Sequence, residues 1–598
     1  MKLDKKTCIL TVALIAFLFR LQNISRVFSS QILLDGYDPY YHMRIVELIV
    51  KTGHLPDFDY YLNYPYGLKI GWLPLFDYIL ALPGTLFGFH ASEIFAAIFP
   101  PLLGVIISIL VFLIAFRIFG NIYVSFFSSL IAAVTPALVS ISTVGFCDHH
   151  IWNLVLITSA IYFLLKAEDN PLYFVISGIF LLLLSFSWQG APIFGAIYTI
   201  LAFTEIINGK SDKYAVFAGI SLLIPSISYL IKPFIGIAFL TLAVFIFLSI
   251  LVKRINERYL NYYLIATIIL IAVVYFFNPK PFMFIRSGID YILGRNIYLP
   301  TISEAKSFEL YTIFFMSGYF VILLATLGGI IAISTNKYIL PVWFLAAFIL
   351  ALFQLRFTNI LAIPSSVLAG YGLSHLIHKM GYPIFEEKKE EDNRIIKRGK
   401  RGQAKKTKKH AKKENNLNRD ILTLIIIIFI ISPSVVISID TFNMSKDWEE
   451  ALLWLRDNTP PTSHYLDPTK KPEYSVLSWW DYGNWIVYVA KRPVVCNNFQ
   501  AGAIDAAKFF TTQNEEDALK IVKKRGVKYV ITCDEMKLGG IYIAIMKIAG
   551  LNPDLMSREE IMNIYKNSTF YRLHSENSLK NFKLIYDKGG VKIFEVVK

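Results

Sequence analysis

Between residues 7 and 440 the chain returns repeatedly to apolar stretches close to the length that crosses a bilayer. In lipid a backbone must satisfy its own N–H and C=O groups, so such stretches are confined to helices. The hydropathy criterion predicts about thirteen spans. They lie near 7–25, 95–118, 121–141, 151–167, 171–187, 190–207, 213–231, 234–252, 260–277, 309–333, 338–354, 360–378 and 420–440. Residues 72–88 read either as a short interfacial segment or as half of a longer span. The first stretch follows Lys2, Lys5 and Lys6 but lacks a small-residue cleavage site, so it reads as a retained span. With 55% hydrophobic and 17% charged residues, the composition excludes an ordinary soluble protein.

The net charge of +15 does not point to nucleic acid, because most of it sits in one segment. Residues 394–419 hold twelve lysines and arginines against a single acid, Glu414. Flanked by spans, such a loop (381–419) marks the cytoplasmic side, where it can meet anionic headgroups. With the N-terminus also cytoplasmic, the basic loop at 252–258 falls inside as well. The outer face then receives loops 26–94, 142–150, 278–308 and 355–359, together with everything after 440. The expected architecture is a polytopic helical membrane domain (1–440) followed by an extracytoplasmic α/β domain (441–598). In the latter, 515–525 has a helical pattern stopped by Gly526, 527–532 reads as a strand, and 582–586 with 591–597 reads as a hairpin. Four cysteines are too few for a disulfide scaffold; Cys496 and Cys533 share the outer domain and are the one pair open to bridging.

Unusual polar residues gather on the outer loops. Residues 35–44 read Asp-Gly-Tyr-Asp-Pro-Tyr-Tyr-His-Met-Arg, 145–150 read Gly-Phe-Cys-Asp-His-His, 301–304 read Thr-Ile-Ser-Glu, and Arg356 lies between two spans. Each has a purely structural reading. Asp38 before Pro39 suits a helix N-cap, Thr301 with Glu304 fits a capping box, Asp148 suits the cap of the next span, and Arg356 suits the headgroup level. Their conjunction on one face favours chemistry. Asp38, Asp148, His150 and Glu304 offer oxygen and imidazole donors suited to Mn²⁺ or Mg²⁺. Arg356 offers a fixed cation for a phosphate. In the outer domain, Trp479-Trp480-Asp481-Tyr482-Gly483 sets two indoles beside a carboxylate. That combination suits a threonine-like group with both a methyl and a hydroxyl, although paired indoles are often simply core.

With these motifs in this order, the chain resembles the catalytic subunit of oligosaccharyltransferase, the STT3 type, and most of all the archaeal AglB kind. The resemblance spans essentially the whole chain and implies a GT-C-type fold. It implies that Asp38 contacts both metal and acceptor amide, that Asp148 and His150 hold the metal, and that Glu304 binds the acceptor. It assigns Arg356 to the donor phosphate. It makes Trp479, Trp480 and Asp481 the pocket for the Ser or Thr two residues after the acceptor Asn. A helix at 534–541 resembles the family's D-x-x-K motif and would add Lys537 and Ile541 to that pocket, although Gly539 and Gly540 weaken the helix. Only residues 441–598 follow the last span, which implies a short form without accessory domains.

The implied reaction moves an oligosaccharide from a dolichyl phosphate or pyrophosphate donor to the side-chain nitrogen of Asn in Asn-x-Ser/Thr. It would be metal-dependent, with inversion at the anomeric carbon, in a single-subunit enzyme of the cell membrane. Asp38 and Glu304 would accept hydrogen bonds from the acceptor amide and reduce its delocalisation. Two rival classes share some features. A Ser/Thr-directed membrane glycosyltransferase would not need the paired-indole motif, and a transporter would keep its ionisable groups at mid-membrane. The chain itself carries sequons at Asn23, Asn443 and Asn567.

Overall fold

The structure is a computed structural model. It describes residues 4–29, 31–71, 73–277, 283–295, 298–382, 384 and 385, five positions between 421 and 435, and 443–597. The predicted basic loop and the span at 420–440 therefore lie almost wholly outside the described residues.

Each of the other twelve predicted spans is occupied by a helix or a broken pair of helices. Five described helices are long and apolar enough to cross a bilayer unaided: Phe89–Phe119, Asp212–Leu230, Pro233–Ile255, Tyr259–Phe277 and Leu355–Lys379. The stretch predicted as one span at 309–333 is instead two helices, Leu310–Ser317 and Tyr319–Ser334, bent by 86°. The break falls at Gly318, whose φ of 87° an L side chain rarely adopts. The ambiguous stretch at 72–88 becomes a short helix, Leu75–Phe87. Helix Thr358–Lys379 runs through the centre of the bundle and is buried for most of its length. Small residues let its neighbours approach: a Cβ on Gly328 would lie 2.0 Å from the Leu368 carbonyl oxygen, and one on Gly370 would lie 2.2 Å from the Ser128 hydroxyl.

The globular domain is built as the sequence pattern predicts. Its sheet has the order β3-β4-β6-β5, with β3 (Ser475–Leu477), β4 (Val527–Cys533), β5 (Phe582–Lys588) and β6 (Val591–Val596). Strands β3 and β4 are parallel, and β5 and β6 form the predicted hairpin. Helix Glu515–Lys524 carries three acids in its first turn and two lysines in its last, which suits the helix dipole. All four cysteines are free and buried, so Cys496 and Cys533 do not bridge.

The segment between the first two spans belongs to both halves. It contributes helix Asp38–Thr52 and a two-stranded ribbon, β1 (Phe58–Asp59) with β2 (Leu68–Lys69). Its apolar side chains join those of the globular domain in one continuous core. Arg44, fully buried, meets Asp59 through two bonds, Nε to Oδ2 at 3.0 Å and Nη2 to Oδ1 at 3.2 Å. The guanidinium lies between the rings of Tyr61 (4.7 Å) and Tyr465 (4.3 Å), and its Nη1 donates to the Tyr465 carbonyl at 3.2 Å. Farther along, Arg525 donates to Asn63 Oδ1 (2.9 Å) and to the Tyr64 carbonyl (3.1 Å). Tyr64 N donates to Val494 O, and Val494 N donates to Tyr61 O.

Breaking a buried ion pair from one side costs about 3–5 kcal/mol, whereas replacing both partners by apolar groups costs far less. Asp59→Ala is accordingly expected to expose Cys496 and Cys533 to a maleimide dye at a lower temperature than in the native protein. The Arg44→Met/Asp59→Leu double variant should recover most of the loss. Labelling of Asp59→Ala indistinguishable from native would remove this pair from its structural role.

Candidate functional site

Helix Asp38–Thr52 begins at Asp38 itself, with Tyr37 as the flanking residue and no side-chain cap. The Asp38 carboxylate is therefore not spent on capping. Its Oδ1 accepts from Asn484 Nδ2 at 3.2 Å, and Asn484 Oδ1 accepts from Asn497 Nδ2 at 2.8 Å. Both asparagines are fully buried. Trp485 donates its indole N–H to the Gly36 carbonyl at 2.9 Å and stacks on Tyr37 at 4.7 Å. The segment after the paired-indole motif thus grips the start of the helix that carries Asp38.

Asp148 caps helix His149–Lys166, as the structural reading expected, accepting from His149 N at 2.5 Å. It also stands among three imidazoles. His149 Nδ1 lies 2.6 Å from Oδ1, His42 Nε2 lies 3.6 Å from the same oxygen, and His150 Nε2 lies 3.6 Å from Oδ2. Burial opposes charge on this carboxyl, but the imidazoles outweigh it and hold Asp148 well below the ordinary carboxylate range. On the far side of His42, its Nδ1 is 2.6 Å from Asp77 Oδ1. The His42 pKa is opposed by burial yet raised well above normal by the Asp77 and Asp148 carboxylates.

The capping box expected at 301–304 does not form. Thr301 Oγ1 donates to the Tyr298 carbonyl, and the turn at Glu304 has no side-chain cap. Glu304 instead faces the site: Oε1 is 3.1 Å from Arg356 Nη2, and Oε2 is 4.0 Å from His150 Nε2. Arg356 also donates to the Tyr291 hydroxyl at 2.9 Å, while its Nε is buried with no partner among the described residues. Asp38, enclosed near Asp148 and Glu304, is pushed up to about 7, first by burial and then by these two carboxylates. A cluster of three carboxylates, one of them raised by burial and by its neighbours' charge, has the donor set and the surplus of negative charge that a hard divalent cation would offset.

Asp38, His42 and His149 form one wall of a cavity of about 740 Å³ lined mainly by apolar side chains, among them Leu73, Trp188, Phe234 and Tyr291. A recess of about 30 Å³ between His150, Trp188, Arg356 and Asn359 adjoins it. In the globular domain, Trp479 and Trp480 stack at 4.5 Å. Trp480 Nε1 donates to Asp481 Oδ1 at 3.0 Å, and Tyr298 meets the Trp480 ring edge-on at 5.9 Å. The loop bearing Glu304 therefore reaches the indole motif. Burial raises Asp481 to about 6 despite the indole donors.

The expected helix at 534–541 is not formed. Asp534–Met536 is a single 3-10 turn, Lys537 is extended, and the next helix starts at Tyr542. A Cβ on Gly540 would lie 2.0 Å from the Glu535 carbonyl oxygen, so the chain turns tightly here. Lys537 pairs with Asp534 at 2.6 Å, and Ile541 packs against the domain core. Sequence reasoning assigned no role to His42, Asp77, His149, Tyr291 or Asn484. His42 and His149 lay inside the quoted motifs, whereas nothing in the sequence pointed to Asp77 or Asn484.

Residues 9–381 match the family described as oligosaccharyl transferase STT3, N-terminal, and residues 445–537 match the AglB core domain. Dolichyl-phosphooligosaccharide-protein glycotransferase 1 of Archaeoglobus fulgidus is 44% identical, covering 100% of this chain and 100% of the relative. Glycotransferase 2 of the same organism is 41% identical, covering 99% of each. A solved structure of the archaeal oligosaccharyltransferase AglB from Archaeoglobus fulgidus, in complex with an inhibitory peptide and a dolichol-phosphate, is similar with a TM-score of 0.79 at 22% identity. That match covers 98% of this chain and 79% of the other, and it is a likeness of fold.

Asp481 generates a pH test. Its folded-state pKa of about 6 lies above the ordinary 3.8. The carboxyl therefore favours the folded state below pH 3.8, and that contribution is lost as pH rises through about 6. Asp481→Asn is expected to be more stable than native at pH 7.5 by about 1–3 kcal/mol, with the gap shrinking towards pH 4. Unfolding temperatures of both proteins across that range would check it. A gap independent of pH would contradict the assignment.

Proposed function

The chain belongs to the STT3/AglB family of oligosaccharyltransferases, and from that footing we propose that it transfers an oligosaccharide from a dolichyl phosphate or pyrophosphate donor to Asn in Asn-x-Ser/Thr. One observation carries the reading. Asp38, Asp148, His150, Glu304 and Arg356 come from four distant stretches of sequence and converge in one cluster, with Asp38 lining the apolar cavity and His150 and Arg356 the adjoining recess.

Asp38, Asp148 and His150 would hold Mn²⁺ or Mg²⁺, which when bound neutralises the carboxylates and the charge on the departing lipid phosphate. The carboxylates of Asp38 and Glu304 accept the two N–H groups of the acceptor amide. This loosens the nitrogen lone pair from the carbonyl for in-line attack with inversion. Arg356 holds the donor phosphate; its buried, unpartnered Nε is a ready donor even while Nη2 faces Glu304. Asp481 takes the acceptor's Ser or Thr hydroxyl, and a residue without that hydroxyl removes one donor from a buried carboxylate, which is a basis for rejection. In this reading Lys537 and Ile541 would complete that pocket.

We place the enzyme in the cell membrane with about thirteen spans, the N-terminus cytoplasmic and the globular domain outside, acting as a single subunit. Among the chain's own sequons, the Asn443 amide donates to Asp35 at 2.8 Å, and the Asn567 amide donates to the Asn563 carbonyl at 2.9 Å while Thr569, two residues on, is buried; neither suits self-modification of the folded protein.

The test is glycan transfer to a fluorescent Asn-x-Thr peptide, using purified protein, lipid extract from its source and Mn²⁺. Removing the metal with a chelator should abolish transfer. Glu304→Ala should lower it by about 10²-fold or more, and an Asn-x-Ala peptide should not be modified. Transfer that is indifferent to the chelator or to the third sequon residue would refute the metal and pocket roles respectively.

A further inference from the structure

The carboxylate of Asp148 presents one oxygen to His42 and the other to His150, each imidazole Nε2 standing 3.6 Å away. That separation exceeds a hydrogen bond. It suits two donor atoms that share one ion at about 2.1 Å each, which lie roughly 3–4 Å apart. On the His42 ring, Nδ1 is 2.6 Å from Asp77 Oδ1, and the Asp77 side chain is almost fully buried. An acceptor there makes Nδ1 the protonated nitrogen, so the neutral ring turns the lone pair of Nε2 towards the Asp148 oxygen. Two lone pairs do not face each other at this range without a positive charge between them. The charge is either a second proton on the ring or a metal ion, and an ion would also serve His150, which stands at the same distance from the other oxygen. A buried carboxylate on the far nitrogen of an imidazole is also the usual support of a metal-ligating histidine.

We propose that His42, oriented by Asp77, is a further protein ligand of the divalent cation that Asp38, Asp148 and His150 hold. Helix geometry supports this: His42 lies one turn after Asp38, so both side chains project from the same side of helix Asp38–Thr52. His149 meets Asp148 through Nδ1 at 2.6 Å, a hydrogen-bonding distance, and does not show the wider separation that His42 and His150 share. Asp77 is a positioning residue and touches neither substrate nor ion.

The inference rests on the metal-dependent reading above, and the experiment separates the two. Mn²⁺ is titrated into the full-length protein in detergent and followed by the electron paramagnetic resonance of the free ion. Electron spin echo modulation then counts the imidazole nitrogens around the bound ion. The native protein is expected to show two imidazoles. His42→Gln should show one and bind Mn²⁺ at least about 10-fold more weakly, and Asp77→Asn should weaken binding by about 10–100-fold. Protection of Cys496 and Cys533 from maleimide verifies that each variant is folded. If His42→Gln does not fold, the count on the native protein decides, and a single imidazole overturns the proposal. Native-like Mn²⁺ affinity in folded His42→Gln overturns it too, leaving the ring as an imidazolium. Absence of Mn²⁺ binding by the native protein overturns the metal reading itself.

Discussion

The clasp of Arg44 on Asp59, between two tyrosine rings, is the interaction on which the rest of the site depends. It sits on the same helix as Asp38 and His42. At 100° per residue, His42 lies about 40° around the helix from Asp38, and Arg44 about 240°. One face of the helix is therefore given to the site, and a nearly opposite face to the globular domain. Taking a guanidinium wholly out of water is unfavourable unless its geometry is fully met. Here two carboxylate oxygens, a carbonyl and two aromatic faces meet it. The pairing fixes the rotation of the helix, and with it the direction in which Asp38 points.

Around that helix three pieces meet. The spans supply Asp148, His149 and His150 from one helix start, and Arg356 from the turn between two others. The loop with Glu304 bridges Arg356 and the indole motif. The globular domain closes the third side through Asn484 and Trp485. No piece contains the site alone: Asp148 meets imidazoles from two pieces, Glu304 meets Arg356, and Asp38 meets Asn484. The result is a charged seam against an apolar cavity, where electrostatic interactions are stronger than in open solvent.

Much of this was legible beforehand, because the chemistry requires particular residue types at fixed places. The acidic and basic motifs stood out as ionisable groups at span ends, and the indole pair, which the sequence also allowed to be core, is buried within the shared core. The strand at 527, the helix at 515 and the closing hairpin followed from periodicity and turn residues. What escaped was long-range. Asp77 reads as an ordinary acid in a short helix, and only the fold brings it to His42. Asn484 looks like a polar residue after a turn. The capping box at 301 was locally reasonable, but Arg356 competes for Glu304, and an ion pair with a buried guanidinium outweighs a cap on a single 3-10 turn. The helix expected at 534–541 failed for a local reason already visible in its paired glycines. The break at Gly318 was equally local, yet it hid inside an apolar run of the right length.

The core shared by the loop between the first two spans and the globular domain has a consequence for how the chain is made. Arg44 and the Tyr465 carbonyl it binds are 421 positions apart in sequence. At ordinary rates of synthesis, about 5–20 residues per second, the loop waits roughly 20–80 s for its partner to emerge. Through that interval a guanidinium, an aspartate and a patch of tyrosines and leucines lack the surface that buries them. Assembly of the site thus waits on the globular domain, and a ribosome that stops before it leaves the helical part without the residues that close the site.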